Sequence, residues 1–298
     1  MKKKQNPGTA PVMQHKNRSR FGEICHRLSK NKGAMIGLGL IIVLILVSVY
    51  CAFFVDYINK IMKIDMVNRF KAPGAKFFFG TDDMGRDLFR RVLYGARYSL
   101  IIGVGAVCIS TVVGIVCGAL AGYYGGLVDD IIMRISDILA SIPAILLGMC
   151  IMTVLGQSLF NLVIAVGIPG IPAFIRITRS SVMTVRNQEY VEAARAIGMS
   201  DLRLIFTQVI PNGLSPIIVT VTTRLGSAIN EGASLSFLGF GVPVPKPEWG
   251  ALISAGRSYV TSYPWLTIIP GLFILVTVLS FNLLGDGLRD ALDPKLKK

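Results

Sequence analysis

The chain has 298 residues, of which 52% are hydrophobic and only 16% are charged. An ordinary soluble domain carries about 25% charged residues, and a soluble core of this size cannot bury so much apolar surface, so the composition excludes a soluble fold. The net charge of +14 does not indicate a nucleic-acid-binding protein, because the Lys and Arg residues flank apolar runs, a pattern typical of membrane edges.

The N-terminal part predicts a basic tail followed by a first membrane span. Residues 1–32 hold nine Lys and Arg and one acid, Glu23, without a hydrophobic period, and are predicted to form a cytoplasmic tail. The uncharged run 33–55 can cross a hydrocarbon core of about 30 Å as a helix, and it is longer than the apolar region of a secretory signal. Residues 56–97 are then predicted to form an extracytoplasmic loop.

Further uncharged runs predict a five-helix core in residues 98–285. The run 138–175 is too long for one crossing, so we divide it at Gly156-Gln157-Ser158 into two antiparallel spans and expect Pro169 and Pro172 to break the second. The remaining predicted spans are 98–128, 214–237 and 258–285.

Six spans place both termini on the same side of the membrane. With the N-terminus inside, the cytoplasmic segments hold 19 Lys and Arg and the outer segments hold 11. The positive-inside bias therefore predicts that both termini are cytoplasmic, with residues 286–298 as a short C-terminal tail. The predicted fold class is an all-α, multi-pass membrane protein with six transmembrane helices.

The second predicted span carries small residues at every fourth position. Steps of four keep them on one side of a helix, where another backbone can approach closely. This pattern predicts a packing face in a tight bundle. Its members are Ala106, Ser110, Gly114, Gly118 and Gly122.

A polar loop at 178–212, between the fourth and fifth spans, carries the most informative pattern of the chain. Residues 188–197 are good helix formers, Gly198 is placed to stop that helix, and Asp201 can cap a following one. The pattern predicts a short helix, a turn and a second helix. Such a rigid protrusion can transmit force from a partner protein.

This loop resembles a known motif. Glu192-Ala193-Ala194, three residues, Gly198 and then Ile210-Pro211 resemble the EAA motif of permease subunits in ATP-binding-cassette (ABC) importers. The resemblance implies the bundle of a type I ABC importer permease, and it implies that the short helix docks on a cytoplasmic ATPase. The implied coupling residues are Glu192, Ala193, Ala194 and Gly198.

Three other stretches are similar to the oligopeptide/dipeptide branch of these permeases. They are Gly80–Asp87 with Leu93–Leu100, Leu235–Gly241 with Pro247 and Trp249-Gly250, and Asn282–Pro294. The resemblance implies a di- or oligopeptide importer in a prokaryotic cytoplasmic membrane. Its implied partners are a second homologous permease, two cytoplasmic ATPases, an extracytoplasmic peptide-binding protein and membrane lipid.

No pattern supports catalysis, a cofactor or a metal in this chain. The run nearest to a P-loop, Gly250 to Ser258, has the wrong spacing and Arg in place of Lys, so ATP and Mg²⁺ are expected on the partner subunits. Both histidines, His15 and His26, lie in the basic tail, and the five cysteines form no ligand-like cluster. The sequence therefore offers no candidate pair of nucleophile and base, which disfavours a membrane enzyme.

Two other transport functions stay open at this point. Nickel and glutathione importers belong to the same permease branch, and selectivity can reside in the binding protein. An ion-coupled secondary transporter would work without an ATPase, although the EAA-type loop disfavours it.

Two charged groups have alternative interpretations. The outer group, Asp82, Asp83, Arg86 and Asp87, forms either a folded loop with internal ion pairs or a contact for the peptide-delivering protein.

Within the fifth span, Arg224 and Glu231 lie seven residues apart on one helix side, with Asn230 beside them. They line a hydrated path, or each pairs with a neighbouring helix or lies nearer to a membrane interface than this span assignment places it. Arg134 and Asp137, three apart, are expected to pair with each other.

Overall fold

The computed structural model describes residues 20–292 of the chain. Within this range the secondary structure is helical, and the only β-type pairing is a single bridge between Thr81 and Asp87. The α-helices are α1 Arg20–Lys30, α2 Lys32–Phe54, α3 Leu88–Tyr124, α4 Gly126–Ser141, α5 Ala144–Leu155, α6 Leu159–Arg186, α7 Glu189–Ala196, α8 Asp201–Leu204, α9 Ile210–Asn212, α10 Leu214–Leu235, α11 Trp249–Gly256 and α12 Trp265–Leu292. The all-α fold class is thereby confirmed.

The end of the predicted N-terminal tail is a helix. Residues 20–30 form α1, in which Ile24 and Leu28 are partly buried four positions apart. The prediction of a tail without helical period was wrong for these residues, because the basic side chains obscured a short apolar stripe. Residues 1–19 lie outside the described range. Asn31 then caps α2 by accepting a hydrogen bond from the amide of Ala34 at 3.1 Å.

The second long helix starts ten residues before the predicted span. Asp87 caps α3 by accepting from the amide of Phe89 at 3.0 Å, so residues 88–97 are helical and the extracytoplasmic loop ends at 87. The positive charges of this stretch concealed the helix. With 37 residues, α3 is about 55 Å long, and it reaches well beyond the hydrocarbon layer.

The predicted division at 156–158 is confirmed, because α5 ends at Leu155 and α6 begins at Leu159. The predicted break in the following span was wrong. Helix α6 runs continuously through Pro169 and Pro172. This stretch packs closely against α3, where Ser110 donates a hydrogen bond to the carbonyl of Gly167 at 2.5 Å. The helix also includes residues 178–186, which were predicted as loop.

The last span is shifted by seven residues from its predicted position. Residues 257–264, of which 258–264 were predicted as the start of the span, form a turn between α11 and α12. Helix α12 continues to Leu292 and so includes part of the predicted tail at 286–298. Residues 293–298 lie outside the described range.

Within residues 20–292, four helices are long and apolar enough to cross a membrane, namely α2, α3, α6 and α12. Two bent pairs supply further spans: α4 with α5, bent by 89°, and residues 201–212 with 214–240, bent by 64°. Counting each pair as one span gives the six that the sequence predicts.

The small-residue face of α3 packs against α6, as predicted. All five members of this face are buried. A Cβ added to Gly114 would lie 2.2 Å from the Cβ of Phe174, and one added to Gly118 would lie 2.6 Å from the carbonyl oxygen of Ile175. Because neither backbone can yield, α3 and α6 form a close, rigid seam.

Candidate coupling and translocation site

The segment after α6 forms a compact helix-turn-helix at the C-terminal end of α3. We call residues 187–212 the coupling segment. Its first helix, α7, carries Glu189 and Glu192 in the first turn and Arg195 in the last turn. Negative charge near the N-terminus and positive charge near the C-terminus both favour the helix.

Helix α7 ends as the sequence predicts. Gly198 adopts φ +87° and its amide donates to the carbonyl of Arg195 at 3.0 Å, while the amide of Met199 donates to the carbonyl of Ala194 at 3.2 Å. This pair of hydrogen bonds is a Schellman motif, which requires a left-handed residue at the position of Gly198. Asp201 does not cap α8 with its side chain, so that prediction was wrong.

The side chain of Asp201 instead binds Tyr123, near the end of α3. The Tyr123 hydroxyl donates to the Asp201 carboxylate at 2.5 Å and accepts from the Arg195 guanidinium at 3.2 Å. The same guanidinium lies 5.6 Å from the centre of the Tyr123 ring. One tyrosine therefore joins α3 to both α7 and the start of α8.

An apolar cluster attaches the coupling segment to the bundle. Val191, Leu204 and Val209 are fully buried against Ala119, Tyr123 and Val182. Of the predicted coupling residues, Glu192, Ala193 and Gly198 are exposed, whereas Ala194 is partly buried and packs against this cluster. The coupling segment also carries exposed apolar side chains, and these are Tyr190, Ile197, Leu202 and Phe206.

Arginines of α6 connect the helices at this end. Arg179 forms a two-pronged ion pair with Asp129 on α4, with both N–O distances at 2.5 Å. Arg186 donates to the carbonyls of Gly122 and Tyr123 at 2.9 Å each, which satisfies the C-terminus of α3. Asp137 accepts from Arg176 at 2.9 Å, so its expected pairing with Arg134 was wrong. The carboxylate reaches across to α6 instead of along its own helix.

Helix α10 presents a polar stripe. At 100° per residue seven of its nine polar side chains fall on one side of the helix, and Ser215 and Thr222 fall on the other. The seven are Thr220, Thr223, Arg224, Ser227, Asn230, Glu231 and Ser234. Arg224 and Glu231 pair with each other at 3.2 Å, with side-chain exposures of 26% and 24%. Neither pairs with a neighbouring helix within the described residues, which corrects that alternative. Asn230 is exposed.

The outer charged group folds onto itself. The Asp82 carboxylate accepts from the Arg86 guanidinium at 2.7 Å and from the amides of Met84 and Arg86 at 2.9 Å each. The guanidinium of Arg91 lies 3.6 Å away and is almost fully buried. Asp87 is used as the cap of α3. These contacts correspond to the interpretation as a folded loop with internal ion pairs.

A tight turn supports this loop. Gly85 has φ +73°, and a Cβ there would overlap the carbonyl oxygen of Asp65, at 1.7 Å. Of the acidic group, Asp83 keeps the most exposed side chain, at 30%.

Glu248 is a buried acid that the sequence analysis did not select. Its carboxylate accepts from the amides of Gly250 and Ala251 at 2.9 Å each, which caps α11, and from the Ser99 hydroxyl at 3.2 Å. Burial raises the pKa of this carboxyl group, and the amide donors oppose that shift. The position directly before a helical run was the available signal for a cap.

Tyr123 was missed for a different reason. It lies at the end of an apolar run and has no motif of its own, and its partners are 72 and 78 residues away. Only the folded chain brings them together.

Two sequence models match this chain. One describes the "binding-protein-dependent transport system inner membrane component" and matches residues 114–298. The chain belongs to this family. The other describes the N-terminal transmembrane domain of oligopeptide transport permease C and matches residues 19–73. As a member of this family the chain is a multi-pass permease component of the cytoplasmic membrane, which decides against an ion-coupled secondary transporter.

Curated relatives match this inner-membrane component along nearly its whole length. The dipeptide transport system permease protein of Alkalihalophilus pseudofirmus is 44% identical and covers 96% of this chain and 94% of its own. The oligopeptide transport system permease protein of Bacillus subtilis is 41% identical, covering 98% and 95%. The glutathione transport system permease protein of Pectobacterium atrosepticum is 40% identical, covering 97% and 96%.

A solved structure shares the fold of this family member. The inward-facing MetNI methionine ABC transporter aligns with a TM-score of 0.57 at 17% identity, over 68% of this chain and 96% of that one. The structural likeness supports the predicted ABC importer permease bundle.

Within residues 20–292, no group of three or more His, Cys, Asp or Glu side chains could hold a metal ion. The described cysteines are free.

Proposed function

We propose that this chain is a permease subunit of an ATP-driven importer for di- and oligopeptides. It forms the translocation path with a second homologous permease and works by alternating access. Two cytoplasmic ATPases supply the work, and an extracytoplasmic binding protein supplies the peptide. The similarity to dipeptide and oligopeptide permeases over the whole chain supports this substrate class.

The construction of the coupling segment carries the proposal. One side is fixed to α3 and α6 by Tyr123 and the buried apolar cluster, and the other side presents apolar groups that no part of the described chain covers. Ile197 is 83% exposed and Phe206 is 61% exposed. Exposed apolar patches mark sites of protein contact. The cytoplasmic placement expected from the Lys and Arg distribution makes an ATPase the fitting partner.

Force applied to this segment has a short path into the membrane. When the ATPases close, they displace α7 through the surface formed by Glu192, Ala193, Ala194 and Gly198. The bonds of Tyr123 transfer that displacement to α3. Because α3 and α6 cannot slide past each other at their glycine contacts, the two helices move together.

The polar stripe of α10 is the proposed wall of the path. Arg224 and Glu231 neutralise each other, so a peptide meets paired charges and the exposed amide of Asn230, which can bond to a peptide backbone. The chain itself binds no cofactor in this proposal, and ATP and Mg²⁺ are used by the ATPases. At the outer end, Asp83 is the acid most available to the binding protein.

Glutathione import is a second candidate, because glutathione permeases are 40% to 42% identical to this chain over more than nine-tenths of its length. Proteoliposomes containing the whole importer distinguish the two, by comparing ATP-dependent uptake of a labelled dipeptide with that of labelled glutathione.

The coupling proposal is tested by site-specific photo-crosslinking. A photoreactive residue replaces Ile197 in the complete importer, and the control replaces Val244, which is equally exposed, at 85%, near the opposite end of α10. We expect an ATPase adduct from position 197 and none from position 244. An adduct of position 197 with the external binding protein, or with no protein, would contradict the proposal.

A further inference from the structure

A groove of about 500 Å³ lies between α2 and α3, near the end of α2 that leads into the outer loop. Its walls are mainly apolar, with Ile45, Val49, Phe53, Leu100, Ile101 and Val104 among the lining residues. Two polar residues also line it, Ser48 on α2 and Arg97 on α3. The combination of a long apolar wall and one cation suits an amphiphilic molecule.

The charge of Arg97 lacks a counter-ion. Its Nη1 donates to the Tyr94 hydroxyl at 2.8 Å, and the guanidinium lies 5.1 and 5.4 Å from the ring centres of Tyr94 and Tyr98. No carboxylate of the described chain lies within 4 Å of it, in contrast to the paired arginines nearby. The Nε of Arg97 and the hydroxyl of Ser48 also have no hydrogen-bond partner there. An unpaired cation at the edge of a membrane span is stabilised when an anion or water reaches it.

The groove opens onto an exposed apolar surface of α2 and α3. One side of α2 packs against α12, where a Cβ on Gly37 would lie 2.5 Å from the carbonyl oxygen of Ser280. The other side exposes large apolar groups, including Leu46 at 62% and Phe53 at 80%. On α3, Ile101 and Val104 are similarly exposed. The groove is therefore continuous with an apolar surface that no part of the described chain covers.

We propose that a membrane phospholipid occupies this groove, with an acyl chain along the apolar wall and its phosphate bound to Arg97. The guanidinium offers forked N–H donors that match phosphate oxygens, and a phosphate supplies the missing negative charge. Tyr94 and Tyr98 place aromatic rings beside the charge, as is common where a membrane protein meets the headgroup layer. The lipid would fix α2, the most peripheral span, to α3.

The binding test compares the wild-type chain, Arg97→Gln and a matched control, Arg90→Gln. Arg90 is on the same helix, but it is more than half exposed and already paired with Asp87 at 3.3 Å. Each purified protein is titrated with phosphatidylglycerol in detergent, and bound lipid is counted by native mass spectrometry. We expect the affinity of Arg97→Gln to fall by about tenfold or more, and the control to match the wild type. Equal affinity of all three proteins would overturn the proposal.

A second measurement uses the unmodified chain, so it does not depend on a variant folding. A phospholipid with a photoreactive acyl chain is added to the complete importer, and adducts are mapped by peptide mass spectrometry. We expect adducts in residues 45–53 and 100–105. Adducts confined to other residues would contradict the proposal.

A third measurement places a photoreactive residue at Val49 in the complete importer. Capture of the second permease there would show that the groove is a protein interface and that the lipid assignment is wrong. None of these measurements requires transport, so a failure of peptide uptake does not affect their outcome.

Discussion

The outer charged loop and the coupling segment lie at opposite ends of α3, and they use charge in opposite ways. In the outer loop the charges of Asp82, Arg86 and Arg91 are turned towards one another and withdrawn from water. In the coupling segment Glu192 is exposed and forms no hydrogen bond or salt bridge within the described chain. Buried charges that pair within the chain maintain a fold, whereas exposed, unpaired ones are available to another protein. Substitutions at the two ends should therefore separate stability from transport.

The largest loss of stability is expected for Asp82→Ala. It removes the carboxylate that faces two arginines and accepts two amides, and breaking a buried pair costs about 3–5 kcal/mol. We expect a large fall in the midpoint of thermal unfolding in detergent. Asp83→Asn is the control, because that side chain is 30% exposed and its ion pair is long, at 3.6 Å; its effect should stay under about 1 kcal/mol. Equal effects of the two variants would show that burial does not distinguish these acids.

Tyr123→Phe is expected to have the next largest effect. The ring and its packing remain, but two hydrogen bonds are lost, at about 0.5–1.5 kcal/mol each, because Arg195 and Asp201 are exposed and water can replace the hydroxyl. Because these bonds connect the coupling segment to α3, the number of ATP molecules hydrolysed per peptide imported should rise. Tyr124→Phe is the control, since its side chain is exposed and forms no hydrogen bond within the described residues. A stability loss with an unchanged ATP-to-peptide ratio would assign Tyr123 a structural role alone.

Gly198→Ala tests the turn after α7 by itself. Nothing lies within 4 Å of the added Cβ, so the only cost is the left-handed backbone, about 1–2 kcal/mol. We expect a small change in global unfolding and a clear loss of uptake, because the second half of the coupling segment is redirected. Gly271→Ala is matched to it, with equally open space but ordinary helical φ, and should change neither quantity. Normal uptake by Gly198→Ala would remove the turn from the coupling mechanism.

The Arg224–Glu231 ion pair of α10 is partly exposed. It therefore differs both from the buried charges of the outer loop and from the exposed, unpaired Glu192. Arg224→Gln or Glu231→Gln leaves one charge unpaired and should lower stability by about 1 kcal/mol, while the double variant should recover most of that loss. If the pair lines the path, peptide uptake by the double variant stays impaired, as measured by its KM in proteoliposomes. Recovery of uptake together with stability would make the pair a structural feature.

Local and periodic signals were sufficient for much of this fold. The uncharged run that contains α2, the Gly198 stop and the small-residue face of α3 are each set by neighbouring positions on one element, and all three are present in the structure. The division before α6 was also predicted from a local polar break. These features need no information about what packs against them.

The missed features depend on distant partners. Helix α6 stays intact through Pro169 in a stretch that packs closely against α3, and Asp201 binds Tyr123 instead of capping its own helix. The roles of the predicted site residues depend on still more distant groups, on other protein chains. The exposed face of α7 shows which surface is available, and the sequence resemblance supplies the expectation of what binds it.

The smallest effect on stability is expected for Glu192→Gln, together with the clearest difference between its effects on stability and on transport. The side chain is exposed and unpaired, so the free energy of unfolding should change by less than about 0.5 kcal/mol. If the carboxylate contacts an ATPase, however, uptake and retention of the ATPase during purification should both fall. Glu189→Gln, in the same first turn of α7, controls for the helix-dipole contribution of an acid at this end. Full transport by Glu192→Gln would mean that exposed charge at this end of α3 carries no more function than the buried charge at the other.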